Sequence, residues 1–348
     1  MNQINSGINR TLLSRDSKLN IISFSCHERS DSKIAKTGHN FIYLEAQGLK
    51  TWDKTYAPVP NNITILNIDP NNPKLPLSTT PNLVLCQNIF AHYNQCKQLS
   101  VQYGIPIINL YHTFSYPHVW KQDTWDKINQ MVGNTNVFIT DTNRKGWRFD
   151  ETNSVVIEHS IDTNLFFKKE GIEKKKEIIW VGNAALERRF EIGTDLMLEF
   201  KKNLPIKIVG KSPGLSEPAS SVEELCQFYN ESLVFLSTAS HSPIPTVLIE
   251  AMACGVAPVT VENDMIKTLI KNGENGFITN DKEQLRKSLE YLLLNPDKAR
   301  EMGENARQTV LKRFSMDRFV HQWNEVFYET ARLNPLIPHP HFRFKNEA

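Results

Sequence analysis

The stretch "HSPIPTVLIEAMACGVAPV" (residues 241–259) sets a single acid, Glu250, inside a run otherwise built for burial. Proline at 245, a favourable first helical position, predicts a helix opening near Pro245–Thr246. "APVTVEN" (257–263) then returns as a strand. A carboxylate buried there without a partner is expensive. Glu250 therefore answers either a neighbour within its own domain or a ligand.

Outward from that stretch, short β-branched and aromatic runs alternate with helix-length segments. Strands are expected at 19–25, 39–46, 62–68, 82–88, 105–113, 136–142 and 154–160, with a helix at 89–104. Several of these runs are continuously apolar, as strands covered on both faces of a parallel sheet are. The charged segment "FFKKEGIEKKKE" (166–177) interrupts the pattern and reads as a solvated linker, its lysines interleaved with glutamates. The alternation then resumes, with strands at 178–183, 206–211, 233–239, 257–263 and 276–280 and helices near 190–202, 221–231 and 264–271. Three amphipathic helices follow, near 282–294, 297–313 and 316–332.

Two such series imply an α/β protein of two Rossmann-like, doubly wound domains facing across a cleft. The expected bounds are 1–168, 169–330 and a tail, 331–348, that packs back on the first domain. Ligands in such sheets bind outside the carboxyl ends of the strands. Attention therefore falls on "GN" (182–183), "GKSPG" (210–214), "SHSPIP" (240–245) and "ENDM" (262–265). Glycines directly after strands admit close backbone approach.

Composition bounds the function more loosely. The chain has 348 residues, a length that predicts about two domains. Forty Lys and Arg against 38 Asp and Glu give a net charge of +2, which argues against nucleic acid as the general partner. Five cysteines, odd in number and without a CxxC pair, point to a reduced, cytoplasmic setting with thiols as small core residues. No secretory h-region and no apolar run near the ~18 residues needed to span a bilayer is present, which leaves peripheral membrane contact open.

At this point the residues resemble a known family. "VVIEHSIDTNLF" (155–166), "IIWVGNAALERR" (178–189), "PTVLIEAMACGVAPVT" (245–260), "LIKNGENGFIT" (269–279) and "KRFSMDRFVHQW" (312–323) are similar, in order and spacing, to motifs of the GT-B glycosyltransferases of the large retaining family 4. "TGHNFIYL" (37–44) and "GIPIINLYHTFSY" (104–116) match its first half.

The resemblance implies metal-independent transfer of a sugar from a nucleoside-diphosphate sugar, with retention and no cofactor. The acceptor, a carbohydrate, lipid or other molecule, stays unidentified. The absence of a DxD carboxylate pair agrees with a site that holds no metal. Glu250 falls on the second of two family glutamates eight positions apart, the one that contacts the ribose; a carboxylate accepts from two vicinal hydroxyls. His112 matches the histidine that positions the donor sugar, although a strand-end histidine is also a common structural residue. Arg188, with Arg189 as its alternative, falls near the basic residue that holds the diphosphate, and Pro245–Thr246 would add helix amides. Gly182, Asn183, Gly210, Lys211, Ser212, Pro213, His241 and Ser242 complete the expected donor side. Cys26, His27, Glu28 and Arg29 form an acceptor side, in a loop "SCHERSDSKIAKTGH" (25–39) where the family often has paired glycines.

Departures accompany the match. Ser242 stands where the first glutamate belongs, Asn183 where an arginine binds donor phosphates, and Thr268 where an acid precedes "IxxG". They point to an unusual sugar or acceptor, or to weakened catalysis. The alternatives are a GT-B nucleotide- or glycan-binding protein without turnover, a glycosyltransferase of modified DNA bases, and a sugar-nucleotide epimerase. Trp120, Trp125 and Trp147 suit acceptor stacking or core packing equally; His159 reads as structural near the hinge, and His339 and His341 as incidental.

Overall fold

The computed structural model describes residues 13–69, 75–76, 79–115 and 120–335. The chain forms two compact units, one of Met1–Glu158 with Asp317–Ala348, the other of His159–Met316.

In the first unit, β1 (Asn20–Ser23), β2 (Asn40–Glu45), β3 (Ile63–Asn67), β4 (Leu83–Cys86), β5 (Ile107–Tyr111), β6 (Thr135–Phe138) and β7 (Ser154–Val156) make one parallel sheet. Their order is 3-2-1-4-5-6-7. Ile21 lies between Phe41 and Leu83, so the strand order reverses at β1/β4. The apolar runs explain the parallel sheet: every residue of β4 and β5 is buried.

Among the described residues, helices α1 (Glu28–Ala35), α2 (Ile89–Tyr103), α3 (Gln122–Asn129) and α4 (Asp141–Gly146) lie between these strands. The Asn88 side chain caps α2, accepting from the Phe90 and Ala91 amides, and Gly104 ends it at φ 63°. Helix α1 corrects the expected loop at 25–39. Trp125 and Trp147 are buried and close on Trp120, with ring centroids 5.2–6.5 Å apart, so the three tryptophans are core packing.

The second unit repeats the scheme with β8 (Lys175–Val181), β9 (Ile206–Val209), β10 (Ser232–Ser237), β11 (Ala257–Thr260) and β12 (Phe277–Ile278), all parallel, in order 12-11-10-8-9. Its switch point is β8/β10. The helices are α5 (Arg189–Ile192), α6 (Thr194–Lys201), α7 (Val222–Glu231), α8 (Thr246–Ala253), α9 (Lys282–Leu294) and α10 (Pro296–Arg313). The helix expected near 264–271 shrinks to a single turn, Ile266–Thr268. Asn263 Oδ1 caps that turn, accepting from the Met265 and Ile266 amides.

The segment 166–177 is no linker. Phe166 is buried, Lys168 pairs with Glu304 at 3.0 Å, and the Lys174 ammonium donates to the Asn230 and Ser232 carbonyls. The segment therefore clamps the second unit, and the chain changes unit at 158/159.

The last helix, α11 (Met316–Ala331), sits largely in the first unit instead of closing the second. Phe327 packs on Phe41 and His39, the Thr330 and Thr135 hydroxyls lie 2.7 Å apart, and Tyr328 Oη donates to the Ser17 carbonyl. Most of the tail 331–348, with His339 and His341, lies outside the described residues. Among the described residues, no helix is long and apolar enough to cross a membrane.

Candidate active site

In the second unit, the loops after β8 and β9 are stitched to each other. The Gly182 amide donates to the Val209 carbonyl, and the Ala184 amide to the Lys211 carbonyl. The Lys211 amide donates to Asn183 Oδ1 at 2.9 Å. Ser212 is buried; its hydroxyl donates to the Gly182 carbonyl and accepts from the Ala185 amide. Gly210 has φ 142°, and a Cβ there would sit 2.0 Å from the Gly182 carbonyl oxygen. The close approach expected of these glycines is thus between two strand-end loops. Asn183 braces them where the family arginine would reach for phosphate, and Ser212 is structural. Lys211 and Pro213 remain exposed.

A second seam joins the α5 segment to the loop after β10. Gly193, at φ 64°, separates α5 from α6, and a Cβ there would meet the Thr238 carbonyl oxygen at 2.1 Å. The Thr238 hydroxyl donates to the Ile192 carbonyl and accepts from the Trp180 indole. The His241 amide donates to the Glu191 carbonyl, and its ring lies 4.1 Å, centroid to centroid, from exposed Phe190. This seam brings Arg188 and His241 onto one rim at the switch point. Arg188 is exposed, whereas Arg189 is paired with Asp195. Of the two arginines, Arg188 suits an anion.

Helix α8 opens on the same rim. Pro245 occupies its N-cap with no side-chain cap, and its carbonyl accepts from the Leu248 and Ile249 amides. Helix geometry points the Thr246 and Val247 amides outward from the first turn. Ser242 is half-buried, its carbonyl accepting from the Asn263 amide group at 3.0 Å.

Glu250, 1% exposed, lies in a helix whose residues are all buried from Leu248 to Ala253. Its Oε2 accepts from the Tyr229 hydroxyl, reaching over from α7, at 3.3 Å. Tyr229, absent from the sequence-level candidates, is itself fully buried. Thr268 receives the Arg313 guanidinium on both its carbonyl (2.8 Å) and its hydroxyl (3.0 Å), so a neutral contact stands where an acid was the family norm.

In the first unit the structure gathers residues that are distant in sequence. Cys26 and His27 follow β1, and His112 follows β5. The two imidazoles meet edge to face with centroids 5.1 Å apart. Burial, reinforced by the nearby His27, lowers the His112 pKa to about 3, so its ring is neutral at pH 7. Burial first, and Asp31 second, pushes the Cys26 thiol up to about 12.

Glu28, expected on the acceptor side, is buried at the start of α1. It pairs with Lys50 at 2.6 Å and accepts from the Asp53 amide. Arg29 is half-buried on the same helix. Beneath the loop, burial lifts the Asp31 carboxyl to about 7 while its Oδ2 accepts from the Cys26 amide.

These arrangements can be set beside known proteins. Residues 217–309, the stretch carrying Tyr229, Ser242 and Glu250, match the family described as glycosyl transferases group 1. The fold is similar to that of Anabaena Alr3699/HepE in complex with UDP, with a TM-score of 0.71 at 13% identity over 90% of this chain and 100% of that one. The fold is GT-B.

Sucrose-phosphate synthase from Thermosynechococcus elongatus shares the GT-B fold at a TM-score of 0.67 and 14% identity, over 90% of this chain and 99% of that one. Among curated relatives, N-acetyl-alpha-D-glucosaminyl L-malate synthase of Bacillus anthracis is 24% identical over 49% of this chain and 52% of its own length. The chain thus spans about half of that relative. Within the GT-B frame, the group 1 segment supplies β10, α8 and β11, the elements that carry Glu250 to the switch point of the C-terminal sheet.

Proposed function

We propose that this protein is a glycosyltransferase that takes its sugar from a UDP-sugar held by the C-terminal unit. One observation carries the reading: the group 1 segment holds a buried glutamate on the helix that opens beside the sheet's switch point. Such a switch point is where α/β sheets bind nucleotides. UDP is favoured over other nucleotides because the GT-B neighbour HepE was crystallised with it.

The residues divide the work by their chemistry. Glu250, oriented by the Tyr229 hydroxyl, accepts from the vicinal ribose hydroxyls. Arg188 and the first-turn amides of α8 meet the diphosphate and stabilise the negative charge that grows as it departs. In this reading His241, over Phe190, and Ser242 face the sugar, and exposed Lys211 and Pro213 face the base. The neutral His112 imidazole of the N-terminal unit offers one donor and one acceptor to sugar or acceptor hydroxyls, with the His27 ring edge to face against it. Transfer with retention, without a metal and in the cytoplasm belongs to the same proposal.

A second reading, a nucleotide-holding GT-B protein without turnover, draws support from Asn183, whose side chain braces a loop where a phosphate-binding arginine would stand. A thermal-shift panel of UDP, GDP, ADP and TDP with their sugars, followed by donor hydrolysis, separates the two. Stabilisation by UDP with release of free sugar supports transfer. Stabilisation without turnover on any acceptor pool supports the second reading, and no stabilisation by any nucleotide removes the donor site altogether.

A further inference from the structure

Two of the acceptor-side residues and the sugar-positioning histidine have a chemistry that sugar transfer does not use. A ligand atom from each of Cys26, His27 and His112 lies within 4.8 Å of the other two. Zinc binds thiolate sulfur at ~2.3 Å and imidazole nitrogen at ~2.0 Å, so ligand atoms around a tetrahedral ion stand roughly 3.3–3.7 Å apart. Closing this triangle takes an adjustment of about 1 Å, within reach of rotamer changes at exposed His27.

The frame around the triangle is fixed. Cys26 is held at three points: its amide donates to Asp31 Oδ2 at 3.3 Å, its carbonyl accepts from the Lys50 ammonium at 2.8 Å, and its thiol points to the Gln87 carbonyl at 3.9 Å. Lys50 is itself anchored to buried Glu28. His112 leaves the end of fully buried β5. Ligands carried on a braced loop and a core strand, with hydrogen-bonded support behind them, are what a metal site requires. One sulfur and two imidazoles select zinc or a similar borderline ion and disfavour magnesium or calcium, which take oxygen ligands.

We infer that Cys26, His27 and His112 form a three-ligand site for zinc, with a fourth position open to solvent, and that occupancy switches transfer off. As the sulfur–zinc bond forms, the thiol proton leaves to solvent, and each imidazole gives the lone pair that would otherwise accept from a hydroxyl. The inhibitory consequence rests on the role proposed above for His112; the binding itself does not.

The full-length wild type, Cys26→Ser and His27→Ala test it with two probes, zinc by equilibrium dialysis and cobalt by absorption spectroscopy. The wild type takes up one zinc per chain and, with cobalt, shows a tetrahedral spectrum with a thiolate-to-metal band. Cys26→Ser loses that band, and each variant, short of a direct ligand, loses more than the roughly 10–100-fold in zinc affinity that removal of a supporting partner costs. A wild type without the band, or a band surviving in Cys26→Ser, overturns the site. In donor hydrolysis, one equivalent of zinc suppresses wild-type turnover and a chelator restores it, while the ratio with and without zinc stays near one in His27→Ala. Zinc bound through Cys26 with turnover unaffected overturns the inhibitory role. If no protein turns over any nucleotide sugar, the inhibitory role falls with the proposed function, and the cobalt spectrum still decides the site.

Discussion

Replacing Gly193 with alanine isolates the seam that joins the α5 segment to the loop after β10. Gly193 and Gly273 both have left-handed backbones, at φ 64° and 80°, and both belong to the second unit. They differ in surroundings. A Cβ on Gly273 meets nothing within 4 Å, whereas one on Gly193 would lie 2.1 Å from the Thr238 carbonyl oxygen and 2.8 Å from Thr238 Cβ. The left-handed conformation costs alanine about 1–2 kcal/mol, and the lower entropy of the unfolded chain returns about 0.4–1 kcal/mol.

Gly273→Ala should therefore destabilise by about 1 kcal/mol. Gly193→Ala carries the same terms plus roughly 1–3 kcal/mol for steric overlap that backbone atoms must move to relieve. Urea titration of both variants, followed by tryptophan fluorescence, measures the difference. Because the Thr238 hydroxyl and the His241 amide bond the same α5 turn, Gly193→Ala should also weaken UDP binding. Equal urea midpoints for the two variants, with UDP affinity intact, would refute the claim that this contact shapes the rim.

Other consequences are equally direct. Tyr229→Phe keeps the ring's contacts with Phe166 and Phe235 but removes the hydroxyl from buried Glu250, so stability should fall by about 1–3 kcal/mol and UDP affinity should drop with it; a loss of neither would separate Tyr229 from the site. Burial lowers the His39 and His92 pKa values from 6.5 to about 4, so each contributes stability present above pH 6.5 and lost as the pH falls toward 4. Asp31, raised to about 7, acts in the opposite sense, its contribution being lost as the pH rises through 7. His92→Phe, which preserves the stack on Phe24, should accordingly flatten the decline of melting temperature between pH 7 and 5, and an unchanged slope would contradict the assignment.

What the sequence discloses here depends on whether a residue's role is local. All twelve described strands overlap the expected runs, and β4, β5, β10 and β11 are the plainest, because a strand covered on both faces writes its burial into consecutive residues. Helix α1 is hidden, since "ERSDSKIA" carries only Ile34 and Ala35 as apolar residues, and α4 begins inside the strand expected at 136–142. Thr140, whose side chain accepts from the Asn143 amide, turns that chain from strand to helix. The lysines of 166–177 read as a solvated charge run in sequence, whereas in the fold Lys174 donates to two carbonyls and Lys168 pairs with Glu304.

Glu250 stood out as an acid among apolar neighbours. Its partner Tyr229 did not, because nothing in one segment says which helix lies opposite. Asn183 and Ser212 are the same lesson in reverse. Their spacing after strands suggested ligand contact, but the sheet order sets β8 beside β9 and turns both side chains toward the neighbouring loop. The meeting of Cys26 and His27 with His112 likewise requires the order 3-2-1-4-5-6-7, which no spacing encodes.

The central claim is that Glu250 binds the nucleotide's ribose. Calorimetric titration of UDP into wild type, Glu250→Gln and Glu250→Ala tests it most directly, with Glu250→Gln keeping the size and an oxygen for Tyr229. A lost charge-assisted hydrogen bond is worth about 1.5–3 kcal/mol, which predicts roughly 10–100-fold weaker UDP binding in both folded variants. Unchanged UDP affinity in a folded Glu250→Gln or Glu250→Ala protein would contradict the account.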